Sequence, residues 1–282
     1  MRVIHNVSKP DTSIELFGRK MSSPIFAAPV SGTILNMGGK VSEKEYIEPV
    51  VRGCSNSGIY AMVGDTNVDT FLLDNLDVLK DNRGNGIVFI KPWNNSKIID
   101  KIRLSEEAGA FAVGVDLDAC GLINNQFQEN PFSPKTIDEI RELVESTRLP
   151  FIIKGIMTVD DALMAVESGA SAIIVSNHGG RVLDYTPGTC EVLPDIAKSV
   201  KGKITILVDG GVRTGVDVVK MLGLGADAVL MGRPFVTASF GGGLDGVEFF
   251  IEKVRNELCE TMILTGCQNV KDIDGRVIWN LL

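Results

Sequence analysis

The chain has 282 residues and a mass of 30.4 kDa, with 44% apolar and 23% charged residues. This apolar content excludes a disordered chain. The 36 acidic and 28 basic residues give a net charge of −8, which argues against a nucleic-acid-binding surface, because such surfaces cluster basic residues. No apolar run approaches the roughly 18 residues of a membrane span.

The cysteines and the amino terminus indicate a cytoplasmic protein. Five cysteines are scattered along the chain without a CxxC pair, which argues against a disulfide framework or a zinc site. The first twenty residues contain no apolar segment typical of a signal peptide. We therefore expect a cytoplasmic protein with no metal, no membrane span and no nucleic-acid partner.

Eight short apolar segments recur along the chain, and each precedes a segment with helical periodicity. The predicted strands occupy residues 24–30, 58–63, 86–92, 110–117, 150–156, 170–176, 204–210 and 226–232. The predicted helices occupy residues 42–57, 68–80, 96–108, 134–147, 159–168, 190–200, 214–222 and 246–264. The strands are almost wholly apolar, which is typical of a parallel sheet buried on both faces.

These alternating units predict an α/β fold, a single (β/α)8 TIM barrel with a short N-terminal lead-in. No linker or low-complexity segment interrupts the eight units, so the predicted domains are a lead-in at 1–23 and a barrel at 24–282. Ser42 with Glu45 and Thr158 with Asp161 are typical helix-start pairs. Glycines that end helices indicate helix-to-strand turns, and they are Gly58, Gly109, Gly169 and Gly225.

Polar residues at the carboxyl ends of barrel strands are candidates for chemistry, because active sites of such barrels lie there. The fifth strand contains Lys154 among apolar residues. A buried lysine needs an anion or an electron-rich ligand, or it forms a Schiff base with a carbonyl substrate. The alternative is a lysine whose ammonium extends to the solvent at the rim.

The sixth strand ends in SNHGGR, which contains His178, the only histidine in the predicted barrel. Histidine supplies a base near neutral pH, and the adjacent glycines allow the backbone to approach a ligand. Arg181 offers a two-pronged grip on a carboxylate. A structural histidine is the alternative, but its polar neighbours at a strand end favour function.

The seventh and eighth strands end in glycine–arginine loops, VDGGVRTG and MGRP. The loops after these two strands form the usual phosphate site of such barrels, where glycine N–H groups and a helix N-terminus face the anion. One glycine pair alone is weak evidence, because turns need glycine. Two such loops at consecutive strand ends predict a phosphate-bearing ligand.

These motifs together resemble the FMN-dependent α-hydroxy-acid oxidases and dehydrogenases, the family that includes glycolate oxidase and lactate oxidase. The resemblance rests on KG, SNHGGRVLDYTPGT, VDGGVRTGVDVVKMLGLGADAVLMGRP and DTSIELFG. It is dense from Leu149 to Val236 and thinner from Arg2 to Leu117, where SSPIFAAPV is similar to the family's first barrel strand.

The resemblance implies FMN as the cofactor and assigns residues to it. Lys154 would lie by the N1/O2 edge of the flavin, and Ala28, Pro29 and Ser176 would line the ring. The residues implied around the phosphate and ribityl chain are Asp209, Gly211, Arg213, Gly232 and Arg233.

The resemblance also implies the chemistry. His178 would be the base, Arg181 would hold the substrate carboxylate, and Asp118 would pair with the histidine and stabilise its protonated form. The implied reaction oxidises a small L-2-hydroxy acid such as lactate to the 2-oxo acid, with flavin N5 as electron acceptor. Oxygen, a quinone or another protein would take the electrons onward, and the family implies a homo-oligomer.

The chain departs from the family pattern at two places. It has no arginine between Arg103 and Arg141, where the family places a second arginine for the substrate carboxylate. Lys91 stands near the position of a family tyrosine, as a replacement for the lost cation or as a lysine that extends to the rim. Two alternatives follow: an FMN barrel of the isopentenyl diphosphate isomerase type, or an FMN-binding protein whose substrate chemistry has been altered or lost.

Overall fold

The structure is a computed structural model that describes residues 1–122 and 131–279. Two short antiparallel strands come first, β1 (Ile14–Leu16) and β2 (Arg19–Met21). The later strands are β3 (Ile25–Ala27), β4 (Tyr60–Gly64), β5 (Gly86–Ile90), β6 (Ala112–Asp116), β7 (Phe151–Ile156), β8 (Ala172–Val175), β9 (Thr205–Val208) and β10 (Ala228–Met231).

Strands β3 to β10 pair in parallel and close into a barrel in which β10 returns to β3. The surrounding helices are α1 (Thr33–Asn36), α2 (Glu43–Asn56), α3 (Asp69–Asp81), α4 (Asn95–Glu107), α5 (Ile137–Glu145), α6 (Val159–Glu167), α7 (Thr189–Val200), α8 (Gly215–Gly223) and α9 (Arg233–Thr265). The eight predicted strands and the predicted (β/α)8 barrel are confirmed.

The apolar strands form the core because helices cover the barrel and side chains fill its interior. Every residue of β5, β6, β8 and β10 is buried. In β7 the apolar run contains Lys154, which is only 5% exposed. A charged residue at such a position needs counter-ions, because burial of an unpaired ammonium is costly.

Local signals fix the helix boundaries. Ser42 and Glu45 form a reciprocal capping box at the start of α2, and the Thr158 hydroxyl accepts a hydrogen bond from the backbone N–H of Asp161 at the start of α6. The predicted turn glycines adopt a left-handed backbone that other residues rarely adopt, with φ of 72° at Gly58, 84° at Gly109, 82° at Gly169 and 114° at Gly225.

Three features differ from the sequence prediction. The lead-in contains the β1–β2 hairpin, and α1 lies in the loop after β3. Helix α9 begins at Arg233 rather than at residue 246, because it continues through a kink at Gly243, where φ is 55° and ψ is −137°. The start of α9 therefore directly follows the glycine–arginine loop of the eighth barrel strand. Among the helices of residues 1–122 and 131–279, none has the length and apolar character needed to cross a membrane.

Candidate active site

Three charged side chains lie side by side at the carboxyl end of the barrel, and we call them the charge row: Lys91, Asp116 and Lys154. Asp116 ends β6 and stands in register with Lys154 of β7, while Lys91 directly follows β5. The Lys91 ammonium donates to Asp116 Oδ2 at 2.6 Å, and the Lys154 ammonium donates to Asp116 Oδ1 at 2.8 Å. Each carboxylate oxygen therefore has its own lysine.

The charge row fixes the ionisation of its members. Burial alone would raise the pKa of Asp116, but the ammonium groups of Lys154 and Lys91, with a smaller contribution from His178, hold that pKa well below its ordinary value. Burial would lower the pKa of Lys154, but Asp116 and two further carboxylates raise it instead. Asp116 is therefore a carboxylate and Lys154 an ammonium at neutral pH.

His178 lies next to the charge row, 8% exposed, at the end of β8. Its backbone is left-handed, with φ of 56°, a conformation that is uncommon outside glycine and that clusters at functional sites. The buried Ser176 hydroxyl accepts the His178 backbone N–H at 3.2 Å. Imidazole Nδ1 is 3.0 Å from Asp118 Oδ1 and 3.5 Å from Asp116 Oδ1. The ring therefore presents its other nitrogen, Nε2, away from the carboxylates.

Asp118 lies in the 3₁₀ turn Leu117–Gly121, packed against the backbone of β7. A Cβ on Gly155 would lie 2.6 Å from Asp118 Cβ, so glycine is needed there, and its φ of 103° coincides with a register shift in β7. Burial and the neighbouring Asp116 raise the pKa of Asp118, against the opposing effect of Lys154. Asp118 Oδ2 is buried and has no hydrogen-bond partner among the described residues.

The predicted substrate residues differ in their surroundings. Arg181 is exposed, and its Nε donates to the His178 backbone carbonyl at 3.3 Å, so its guanidinium contacts the backbone of the residue that carries the imidazole. Lys91 has a side chain that is 14% exposed, with its ammonium bound to Asp116. The structure thus places Lys91 in an ion pair, and an extension of its ammonium into solvent at the rim does not occur.

The glycine–arginine loops form a cradle at the ends of β9 and β10. Asp209 follows β9, and burial raises its pKa against the effect of Lys154. Its Oδ1 is buried without a partner in the described part of the chain. At Gly211, where φ is 78°, a Cβ would meet only open space. Arg213 is exposed beside this loop.

The eighth strand completes the cradle. Gly232 precedes the start of α9 without a capping side chain, and Arg233 begins the helix. A Cβ on Gly179 would lie 3.9 Å from Arg233 Nη2, so the loops after β8 and β10 meet at this guanidinium. Ala28 and Pro29 directly follow β3, and the Ala28 backbone N–H donates to the carbonyl of Met231. The residues predicted to bind the cofactor thus lie in or directly after neighbouring strands of the barrel, and their role stays a prediction.

These residues fit the cofactor that the family resemblance implies. FMN presents a phosphate, ribityl hydroxyls and a flat ring. The unpartnered Asp209 oxygen is an acceptor for a hydroxyl, and the open glycine loops with their arginines suit an anion. Lys154 supplies a buried cation beside them.

Asp116, Asp118 and His178 also have the side-chain types of metal ligands, with ligand atoms within 4.8 Å of one another. Two lysine ammonium groups already contact Asp116, at 2.6 and 2.8 Å. A metal would have to displace them against charge repulsion, so this geometry favours the ammonium groups as the cations of the cluster.

Sequence reasoning missed Asp116, although it contacts three of the predicted site residues. Asp116 ends a run of apolar residues and was counted as part of the strand. The available signal is the register of neighbouring strands: Ile90 aligns with Val115, and Asp116 with Lys154, so one anion stands between two cations. The family's second arginine for the substrate carboxylate is expected in the loop after β6, where this chain has none. Residues 123–130 of that loop lie outside the described residues.

Comparison with known proteins places these features in one family. The model of the FMN-dependent dehydrogenase family matches residues 1–132 and 121–280. Human 2-hydroxyacid oxidase 1 is 31% identical over 321 residues, which cover 98% of this chain and 84% of the human protein. A peroxisomal (S)-2-hydroxyacid oxidase of Arabidopsis thaliana is 51% identical over 142 residues, which cover 50% of this chain. In that match the chain spans 38% of the length of the relative.

A solved structure shows the same fold. It is a mandelate oxidase variant with a monooxide FMN adduct, at 32% sequence identity and a TM-score of 0.79. The alignment covers 96% of this chain and 83% of the mandelate oxidase chain.

Proposed function

Since this chain belongs to the FMN-dependent dehydrogenase family and FMN is its cofactor, we propose that it oxidises a small, lactate-like L-2-hydroxy acid to the 2-oxo acid. One observation carries the proposal: at the barrel mouth, His178 Nδ1 lies 3.0 Å from Asp118 Oδ1 and 3.5 Å from Asp116 Oδ1, the oxygen that also accepts the Lys154 ammonium. Arg181 Nε donates to the backbone carbonyl of the same histidine. This arrangement combines a base, a buried cation and a carboxylate grip within one site.

The residues divide the reaction among them. Because Nδ1 of His178 faces Asp118 and Asp116, Nε2 is the nitrogen that takes the proton of the substrate hydroxyl. The ionised Asp116 stabilises the imidazolium that results. Bound FMN supplies the two-electron acceptor at its N5 position. Lys154 holds positive charge where negative charge develops during that transfer.

Arg181 orients the substrate in this proposal, and its replacement tests that role. We expect Arg181→Met to raise the dissociation constant of the hydroxy acid about 10- to 100-fold, because a charge-assisted hydrogen bond to the carboxylate is lost. The measurement is the substrate dependence of anaerobic flavin reduction. Arg103→Met, which removes an exposed arginine paired with Asp100, is the matched control. An unchanged dissociation constant in Arg181→Met would contradict the assignment.

The proposed activity is tested by anaerobic reduction of the FMN-loaded protein with a panel of 2-hydroxy acids that differ in side-chain size. We expect the flavin absorption to bleach with a small L-2-hydroxy acid and to remain with its D-enantiomer. The same panel separates lactate-like substrates from larger ones. Failure of every 2-hydroxy acid to bleach the flavin would overturn the activity and favour an isomerase-type or binding role.

The remaining assignments are part of the same proposal. The electron acceptor is oxygen, a quinone or another protein, and the protein forms a homo-oligomer. The proposed location is the cytoplasm, and the name of the Arabidopsis relative makes a peroxisomal location the alternative. The division into a lead-in at 1–23 and a barrel at 24–282 stays a prediction.

A further inference from the structure

We propose that Lys91 is a positioning residue that acts through Asp116, and that Asp65 holds Lys91 in place from the opposite side. This inference rests on the proposed function, because Asp116 serves the base His178 there. It replaces the role predicted from the sequence, in which Lys91 contacts the substrate carboxylate.

The first support is the contact that Lys91 makes. Its ammonium lies 2.6 Å from Asp116 Oδ2, and the side chains of the two residues are 14% and 6% exposed. An ammonium bound to a buried carboxylate at this distance has most of its charge satisfied. Its first effect is therefore on Asp116.

The second support is the division of work between the two lysines. Lys154 faces three carboxylates, since Asp116, Asp118 and Asp209 all raise its pKa. The family resemblance also assigns Lys154 to the N1/O2 edge of the flavin. Lys91 contacts Asp116 and no other carboxylate among the ion pairs of the described residues. Lys91 is thus the counter-ion that keeps Asp116 charged, whereas Lys154 also faces Asp118 and Asp209.

The third support is a buried cluster that fixes Lys91. The Asp65 carboxylate, whose side chain is fully buried, accepts the Lys91 backbone N–H at 3.2 Å and the Trp93 indole N–H at 2.9 Å. It also accepts the Lys101 ammonium at 2.8 Å and the Thr66 backbone N–H at 2.9 Å. Four donors on one buried carboxylate make a rigid anchor at the end of β5.

The same cluster is supported from the returning loop. The Ser133 backbone N–H donates to the carbonyl of Pro92, and the Phe132 ring packs edge-on against Trp93 at 4.6 Å. The backbone of Lys91 is therefore bound by Asp65, the next residue is bound by this loop, and the Lys91 side chain reaches Asp116.

The experiment compares Lys91→Met and Lys91→Arg with the wild-type protein and with Lys44→Met, a control at an exposed lysine. In anaerobic flavin reduction, we expect Lys91→Met to lower the limiting rate about tenfold or more and to change the substrate dissociation constant less than about twofold. Lys91→Arg should recover most of the rate. A raised dissociation constant with an unchanged limiting rate would overturn the proposal and restore substrate binding as the role of Lys91.

A second measurement uses the apoprotein and needs no activity. The pKa of Asp116 is lowered on folding, so its ionisation stabilises the fold at pH values above the unfolded-state pKa. This contribution is lost as the pH falls through the folded-state pKa. Without Lys91, the folded-state pKa of Asp116 rises. We therefore expect the midpoint of acid unfolding to move up by about one pH unit in Lys91→Met and to return in Lys91→Arg.

The outcomes separate this inference from the proposed function. If no hydroxy acid reduces the flavin, the acid-unfolding comparison still decides whether Lys91 acts on Asp116. An unchanged midpoint in Lys91→Met overturns the inference. If Lys91→Met does not fold, Trp93→Phe keeps an aromatic ring but removes the N–H donor to Asp65 together with the second ring of the indole. Trp93→Phe should then raise the midpoint of acid unfolding and lower the limiting rate of flavin reduction, by smaller amounts than expected for Lys91→Met. Wild-type values for both measurements would overturn the inference.

Discussion

Replacing His178 with alanine is expected to slow the reduction of bound flavin by substrate about 10²- to 10⁴-fold, the usual contribution of a positioned base. Among the described residues beside the charge row, the imidazole is the group proposed to take the hydroxyl proton, through an atom directed away from the carboxylates. FMN should remain bound, because the residues proposed to hold its phosphate lie on the loops after β9 and β10.

The chain offers a matched control, because it has only two histidines. His5 lies in the lead-in, where its ring contacts the backbone of Arg2 and Val7. We expect His5→Ala to reduce flavin at the wild-type rate. Stopped-flow absorbance under anaerobic conditions measures both variants. A wild-type rate in His178→Ala would show that another group is the base.

Replacing Asp116 with asparagine is expected to lower the free energy of unfolding by about 3–5 kcal/mol, because removal of one partner leaves buried charge uncompensated. Both lysines of the charge row lose a counter-ion, and Lys154 is only 5% exposed. Urea unfolding of the apoprotein at pH 7 measures the change.

Asp118→Asn is the matched comparison, because the two aspartates face the same imidazole with opposite pKa shifts. Burial raises the pKa of Asp118 in the folded protein. Its ionised form therefore destabilises the fold at pH values above that pKa, and this penalty is lost as the pH falls from the folded-state pKa toward the unfolded-state pKa. We expect Asp118→Asn to lower the free energy of unfolding at pH 7 by less than Asp116→Asn does. It should also reduce the change of that free energy with pH between about pH 4, the ordinary pKa of an aspartate, and the folded-state pKa of Asp118. Equal losses in both variants would contradict the opposite pKa shifts of the two aspartates.

The barrel could be predicted because its strands are short apolar runs bounded by glycine and polar residues. Such runs are typical of a parallel sheet that is covered on both faces, and β5 and β6 are buried at every residue. The positions of the two glycine–arginine loops could also be predicted, since each loop is contiguous in sequence with its strand, whereas their binding of phosphate stays a prediction.

The hairpin and the start of α9 could not be predicted from local patterns. The turn of the hairpin uses Phe17 with φ of 51° ahead of Gly18, and a phenylalanine gives no indication of a left-handed backbone. The run of glycines at 241–243 indicates a helix break, and Gly243 does interrupt α9, with φ of 55° and ψ of −137°. The helical segment before it, which begins at Arg233, is the part that the sequence pattern did not predict.

The charge row marks the limit of reasoning from one segment at a time. Lys91, Asp116 and Lys154 are separated by 25 and 38 residues along the chain, and each belongs to a different strand. Each residue alone is an ambiguous charge at the end of an apolar run. Only the alignment of adjacent strands shows that they neutralise one another.

This row also joins the two halves of the barrel. Lys91 follows the third barrel strand, Asp116 ends the fourth, and Lys154 lies in the fifth. The ion pair between Lys91 and Asp116 lies within the amino-terminal half. The ion-pair partners of Lys154, Asp116 and Asp118, also belong to that half, and of the three carboxylates that raise its pKa Asp209 alone belongs to the carboxy-terminal half. Docking of the halves therefore supplies both ion pairs of this buried ammonium.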